Sequence, residues 1–277
     1  MSEQATRTTG TTPATSAAKG DGMTLTDAEL AGALVRDAGR LAARMRAEGV
    51  SAARKSSVSD VVTEADHAAE AAIVHRLAIE RPGDGVLGEE GSSAEAATGR
   101  SWIIDPVDGT YNFVRGLDWW CSALALVDNS AGEDELVLGA IYHPASDTLF
   151  VGGPGLPTTR DGEPLPAIED RPLAESCVTT YLHPPFFAGP VGEAFTRAMT
   201  GAATLRVLGS GSMDLTTVAQ GQLHVSCQHT VPPWDRLPGA ALVLGAGGAH
   251  RQVEAAGVTW SVTGAPTAVA ELAARLV

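Results

Sequence analysis

Trp102-Ile103-Ile104-Asp105-Pro106-Val107-Asp108-Gly109-Thr110-Tyr111-Asn112-Phe113 is the stretch on which the fold turns. Three large apolar residues in a row predict a buried strand, and that strand delivers Asp105 to its carboxyl end. Pro106 removes one N–H and predicts a turn, which sets Asp108 beside Asp105. Two carboxylates so close repel unless a cation lies between them. Gly109 and Thr110 then open a short helix, whose free N–H groups form an anion site. A divalent cation and a phosphate could therefore sit side by side. Oxygen-only ligation favours Mg²⁺, Mn²⁺ or Ca²⁺ over zinc.

Working outward, three more acidic blocks stand at strand ends or helix starts: Asp60 to Asp66, Gly88-Glu89-Glu90 and Pro233-Trp234-Asp235. Leu30, Leu34, Leu41 and Met45 recur at helical spacing, which predicts a helix over 26–48 with Thr24 or Thr26 as cap and Gly49 as stop. A second helix is predicted over 64–80, with Thr63 as N-cap. Strands are predicted over 119–128 and 136–143, joined by the acidic loop Gly132-Glu133-Asp134-Glu135, and over 147–151. The Gly- and Pro-rich stretch 152–172 reads as a crossing between two halves. Beyond it, strands are expected near 176–181, 203–207 and 222–227, and helices near 190–200, 211–220, 235–246 and 267–276. Helices and strands interleave without an internal repeat, so the class is α/β or layered α+β.

Composition sets outer limits. The 277 residues suffice for one large domain or two small ones. A formal net charge of -14 makes the chain a poor candidate for nucleic-acid binding by bulk electrostatics. An anionic substrate would need positive charge from elsewhere, and a bound cation is the obvious supplier. No apolar run approaches the ~20 residues of a membrane span, and the polar N-terminus has no signal-peptide core. Cys121, Cys177 and Cys227 are widely spaced and odd in number, which fits a reducing cytoplasm rather than a disulfide framework. Residues 1–23, rich in Thr, Ser, Ala and Gly, read as a disordered tail. Residues 24–155 form an expected N-terminal α+β half and 156–277 a C-terminal α/β half.

Asp105-Pro106-Val107-Asp108-Gly109-Thr110 with Asn112-Phe113 resembles the signature of the inositol monophosphatase family. The other three acidic blocks are similar to the family's remaining blocks, in the same order and at similar spacing. The resemblance implies an αβαβα five-layer sandwich and a Mg²⁺-dependent phosphomonoesterase. Glu89, Asp105 and the Val107 carbonyl would hold a first Mg²⁺. Asp105, Asp108 and Asp235 would hold a second, and a third, weaker ion would sit near Glu89. Thr110, paired with Asp66, would position and deprotonate a water, making these two with Glu89 the catalytic set. Gly109 and Thr110 would bind phosphate, and Asp108, Gly211, Gln228 and Asp235 would complete the substrate site. Lys55 would steady the acidic cluster or the phosphate loop. The resemblance also implies inhibition by Li⁺, a homodimer, a cytoplasmic location and a small phosphorylated metabolite as partner, with neither a nucleic-acid polymer nor a membrane.

Departures from the family pattern concern specificity. Gln228 stands where inositol monophosphatases carry a glutamate that accepts from ring hydroxyls; the amide loses charge and adds a donor. Arg236-Leu237-Pro238-Gly239 replaces a run of small residues, and Pro238 is expected in the first helical turn. Leu244 to Gly248 lacks the family's usual acidic residue. Inositol 1-phosphate is the nominal substrate; histidinol phosphate, fructose 1,6-bisphosphate and 3′-phosphoadenosine 5′-phosphate stay open, as does a non-catalytic binding role. Glu64 and Asp66 also suit a helix N-terminus, one of Trp119 and Trp120 is expected in the core, and His229 is expected near the substrate.

Overall fold

In the computed structural model, which describes residues 1, 25–49, 52–54, 61–131 and 135–277, helices and strands alternate in two unequal sheets. Helix α1 (Asp27–Glu48) precedes the paired strands β1 (Ala52–Arg54) and β2 (Val61–Thr63). Then come α2 (Glu64–Glu80), β3 (Gly85–Gly88), β4 (Ser93–Ala94), β5 (Arg100–Asp108) and the short α3 (Thr110–Arg115). An antiparallel run follows: β6 (Cys121–Asp128), β7 (Glu135–His143), β8 (Thr148–Gly153), β9 (Leu156–Arg160) and β10 (Glu163–Pro164). The remainder holds β11 (Cys177–Tyr181), α4 (Pro190–Met199), β12 (Thr204–Arg206), α5 (Gly211–Ala219) and β13 (Val225–His229). It closes with α6 (Pro233–Gly245), β14 (Ala249–Ala255), β15 (Val258–Gly264) and α7 (Pro266–Leu276).

The larger sheet runs β10-β9-β8-β7-β6-β5-β3-β4 and the smaller β12-β11-β13-β15-β14. Each face finds a helical cover. Leu30 and Leu34 of α1 and Ile73 and Leu77 of α2 bury against Trp102, Ile104, Leu124 and Leu126 on the outer face of the larger sheet. Its inner face meets Met213 and Leu215 of α5 and Leu242 and Val243 of α6. These two helices also pack against the smaller sheet. Helices α4 and α7 close the far side, with Ala194 and Leu272 on Val178, Trp260 and Val262. The order of layers is αβαβα. Because β5 and β6 are covered on both faces, Ile103-Ile104 and Ala123-Leu124-Ala125-Leu126 are continuous apolar runs rather than alternating ones.

Local signals explain the helix starts. Thr26 and Glu29 form a reciprocal capping box, with Glu29 N–H donating to the Thr26 hydroxyl at 3.2 Å and Thr26 N–H to the Glu29 carboxylate at 2.9 Å. Gly49, at φ 96°, ends α1. Thr63 caps α2 in the same way, with Asp66 as its partner.

Three expectations need correction. Pro106 does not turn the chain: β5 continues to Asp108 and accommodates the proline in a bulge. The stretch 152–172 is not all connection, since β9 and β10 lie within it and extend the larger sheet. Helix α6 starts at Pro233, whose fixed φ suits a first helical position, so Pro238 falls in the second turn and removes one helical hydrogen bond. The tail at 2–23 and the loop residues 132–134 lie outside the described residues. All three cysteines are buried and free, and no described helix is long and apolar enough to cross a membrane.

Helix α6 lies close on β7. A Cβ on Gly139 would come within 2.2 Å of the Pro238 carbonyl oxygen. Gly139→Ala is therefore expected to lower stability by about 1–3 kcal/mol through overpacking, read as a lower urea midpoint; an unchanged midpoint would contradict this packing.

Candidate active site

Four carboxylates converge, two from β5, one from the residue after β3 and one from α6. On a regular strand, residues three apart face opposite sides. Here Asp105 pairs with Ala123 and Asp108 with Cys121, so β5 carries one extra residue in between. This bulge brings Asp108 round to the cleft that Asp105 faces. The Ser122 hydroxyl donates to the Pro106 carbonyl at 2.5 Å, and Val107 N–H donates to Asp105 Oδ1 at 3.1 Å, which holds the bulge. Glu89 arrives through parallel pairing: Gly88 is in register with Ile104, so the next residue stands beside Asp105, its N–H donating to the Ile104 carbonyl at 3.1 Å. Asp235 comes from the first turn of α6, where the helix dipole favours a negative charge.

Glu89, Asp105 and Asp235 each place one oxygen within 4.8 Å of the others. Asp108 lies outside this trio. Its Oδ1 accepts from Gly211 N–H at 3.1 Å and its Oδ2 from Ser212 N–H at 2.5 Å, satisfying two otherwise orphaned donors at the start of α5. Burial raises the pKa of Asp105 well above the usual carboxylate range, and the charges of Glu89, Asp108 and Asp235 raise it further. Burial also raises Asp108, against hydrogen bonds from Ser212, Ser210 and Gly211. An all-oxygen cluster around the buried Asp105, in which neighbouring charges oppose its ionisation, fits a hard divalent cation.

The expected water-activating pair is in contact. Thr110 Oγ1 lies 3.1 Å from Asp66 Oδ1 and 2.9 Å from the Val107 carbonyl. Asp66 Oδ2 accepts from Thr63 N–H at 3.0 Å and from the Thr63 hydroxyl, so Asp66 both caps α2 and anchors Thr110. Burial is the largest influence on Asp66 and raises its pKa. Gly109, at φ 93°, makes the turn into α3, where a Cβ would meet the Trp119 carbonyl at 3.0 Å. Val107, Gly109 and Thr110, with Gly211 and Gln228, line a cleft of about 690 Å³; Asp66 stands behind Thr110 and is not a lining residue. Lys55 and Asp60 lie outside the described residues.

Several residues of the site went unread in the sequence. Glu70, on α2, is 2% exposed. Its carboxylate accepts from Glu90 N–H at 2.9 Å and Ser92 N–H at 3.0 Å, strapping down the loop that carries Glu89. Gly88 must lack a side chain there, because a Cβ would lie 2.3 Å from Glu70 Oε2. The available signal was an acid on a buried stripe, with Asp66, Glu70, Ile73 and Leu77 sharing one face of α2. Asp214 accepts from the Trp119 indole at 2.9 Å and from the Thr179 hydroxyl at 2.5 Å, tying α5 to β11 and to the loop before β6. Burial takes its carboxyl up to about 7. Asn112 Nδ2 donates to the Trp119 and Leu208 carbonyls, both at 2.9 Å. Tyr111, Tyr181 and His183 also line the cleft. Trp120 is the core member of its pair, edge-on to Phe113. His229 is not a lining residue: it is buried between Phe186 and Trp260.

Known proteins bear on this site. A sequence profile of the Inositol monophosphatase family matches residues 24–276. The chain is 31% identical over 195 residues to the fructose-1,6-bisphosphatase/inositol-1-monophosphatase of Thermotoga maritima, covering 70% of this chain and 72% of that protein. It is 32% identical over 192 residues to the histidinol-phosphatase of Mycobacterium tuberculosis, covering 68% and 72% respectively. Among solved structures, a Thermotoga maritima IMPase superposes with a TM-score of 0.75 at 27% identity, covering 88% of this chain and 94% of that one. The chain belongs to the inositol monophosphatase family of metal-dependent phosphatases and is a phosphoric monoester hydrolase.

Two outcomes follow from the geometry. Glu70→Gln replaces one of the two accepting oxygens with a donor and should weaken divalent-cation affinity by about tenfold. Calorimetric titration reads this, and unchanged affinity would contradict the strap. Asp214 has a folded pKa of about 7 against 3.8 ordinarily, so its stabilising contribution is present below that window and lost as pH rises through it. Asp214→Asn should therefore flatten the fall in unfolding free energy across the window; an identical slope would remove Asp214 as its source.

Proposed function

We propose that the chain hydrolyses a small phosphate monoester at a Mg²⁺ site built from Glu89, Asp105, the Val107 carbonyl, Asp108 and Asp235. The observation that carries this is the Glu89–Asp105–Asp235 oxygen cluster, in which burial and the neighbouring charges oppose the ionisation of Asp105. When bound, the cation supplies positive charge to the phosphoryl oxygens and acidifies a coordinated water.

The chain's own residues do the rest. Asp66, raised by burial, can hold a proton that Thr110 passes to it across 3.1 Å, while the Thr110 oxygen takes one from the attacking water. The water oxygen attacks phosphorus, the bond from phosphorus to the alcohol oxygen breaks with its electron pair on the alcohol, and the alcohol oxygen takes a proton from solvent water, to which Asp66 returns the one it holds. Gly109 and Thr110 border the phosphate; Gly211, Gln228, Asp108 and Asp235 border the alcohol. The relatives' names support inositol 1-phosphate, histidinol phosphate and fructose 1,6-bisphosphate as candidates, and 3′-phosphoadenosine 5′-phosphate remains with them. Li⁺ sensitivity, a cytoplasmic location and a homodimer belong to the same reading.

Phosphate release from these esters, with and without Mg²⁺, tests the proposal. Release should require the metal, and Asp105→Asn should reduce it to background with the fold retained. Wild-type turnover in that variant, or release without metal, would overturn the assignment.

A further inference from the structure

The far wall of the cleft differs in chemistry from the acidic floor. Strands β12, β11 and β13 are parallel neighbours, and ligands gather at the carboxyl ends of such strands. Thr179 is in register with Arg206, so Val207 and Leu208 continue beside Thr180 and Tyr181; Tyr181 is in register with Gln228. The cleft therefore meets a row of aliphatic, aromatic and amide groups. The His183 ring stands edge-on to Tyr181, with centroids 4.6 Å apart and planes at 90°.

This row carries no carboxylate. Of the acids bordering the cleft, Glu89, Asp105 and Asp235 gather at the cation site. Asp108 is bonded to α5, and Asp214 has both oxygens taken by Trp119 and Thr179. Among the described residues, neither the Tyr181 hydroxyl nor the Gln228 amide has a side-chain hydrogen-bond partner, so both polar tips are available to a ligand. A polyhydroxylated saturated ring offers many donors and calls for strong acceptors, which this wall lacks. A flat unsaturated ring offers a face and edge to Tyr181 and His183, and in-plane polar atoms to the Gln228 amide.

Resting on the hydrolase reading above, we propose that Tyr181, His183 and Gln228 select phosphate monoesters whose alcohol carries a flat unsaturated ring over esters of saturated polyols. Of the candidate esters, those bearing an imidazole or a purine meet this description.

A matched pair of substrates isolates the effect. 2-Phenylethyl phosphate and 2-cyclohexylethyl phosphate have the same chain and ring size and differ in flatness and π-character. Inositol 1-phosphate is the third arm. The phenyl ester should show kcat/KM about three- to tenfold above the cyclohexyl ester, carried by KM. Tyr181→Leu, which keeps apolar bulk, should bring that ratio near one, whereas Tyr181→Phe should retain it. Equal or reversed preference in the wild type, or a preference that survives Tyr181→Leu, would overturn the inference. Turnover of inositol 1-phosphate with neither test ester hydrolysed would overturn it alone. No turnover of any ester with Mg²⁺ would bring down the hydrolase reading beneath it.

Discussion

Asp105 cannot ionise comfortably where it lies, and much of the site follows from that. It is 1% exposed and faces Glu89, Asp108 and Asp235. Each neighbour is brought by a different device: a parallel register, a bulge in the same strand, and the first turn of a helix. Concentrating so much negative charge in a buried space costs free energy unless protons or a cation share it. The fold is arranged to hold the carboxylates there regardless. Glu70 straps the Glu89 loop from behind, and Ser122 clamps the bulge.

The helices of the middle layer complete the arrangement. Both α5 and α6 begin at the cleft, and a Cβ on Gly211 would come within 3.2 Å of the Asp235 carbonyl, so their starts nearly touch. Asp108 lies on the N–H groups of α5 and Asp235 in the first turn of α6. Two positive helix ends thus moderate the acidic cluster. The formal charge of -14 is less anomalous in this light, since part of it is gathered in this one acidic cluster.

The layered class, the helix caps and the acidic blocks were legible because they depend on neighbours in the sequence. Thr26–Glu29 and Thr63–Asp66 are three-residue signals, and both form capping boxes. The bulge was not legible, because a proline after a strand reads equally as a turn; only pairing with β6 shows that the strand continues. The start of α6 was not legible, because a proline suits the end of a loop as well as a first helical position. Glu70 and Asp214 act across long separations, on residues 90, 92, 119 and 179, which no local pattern reveals. The Tyr181–Gln228 wall depends on the register of two strands far apart in the chain.

The central claim is that Glu89, Asp105 and Asp235 together hold a divalent cation, which offsets the charge that burial and proximity oppose. Calorimetric titration of the metal-free protein with Mg²⁺, beside the Asp105→Asn variant, tests it directly. Saturable binding that Asp105→Asn abolishes is the predicted result. No binding by the wild type, or equal binding by the variant, would contradict the account.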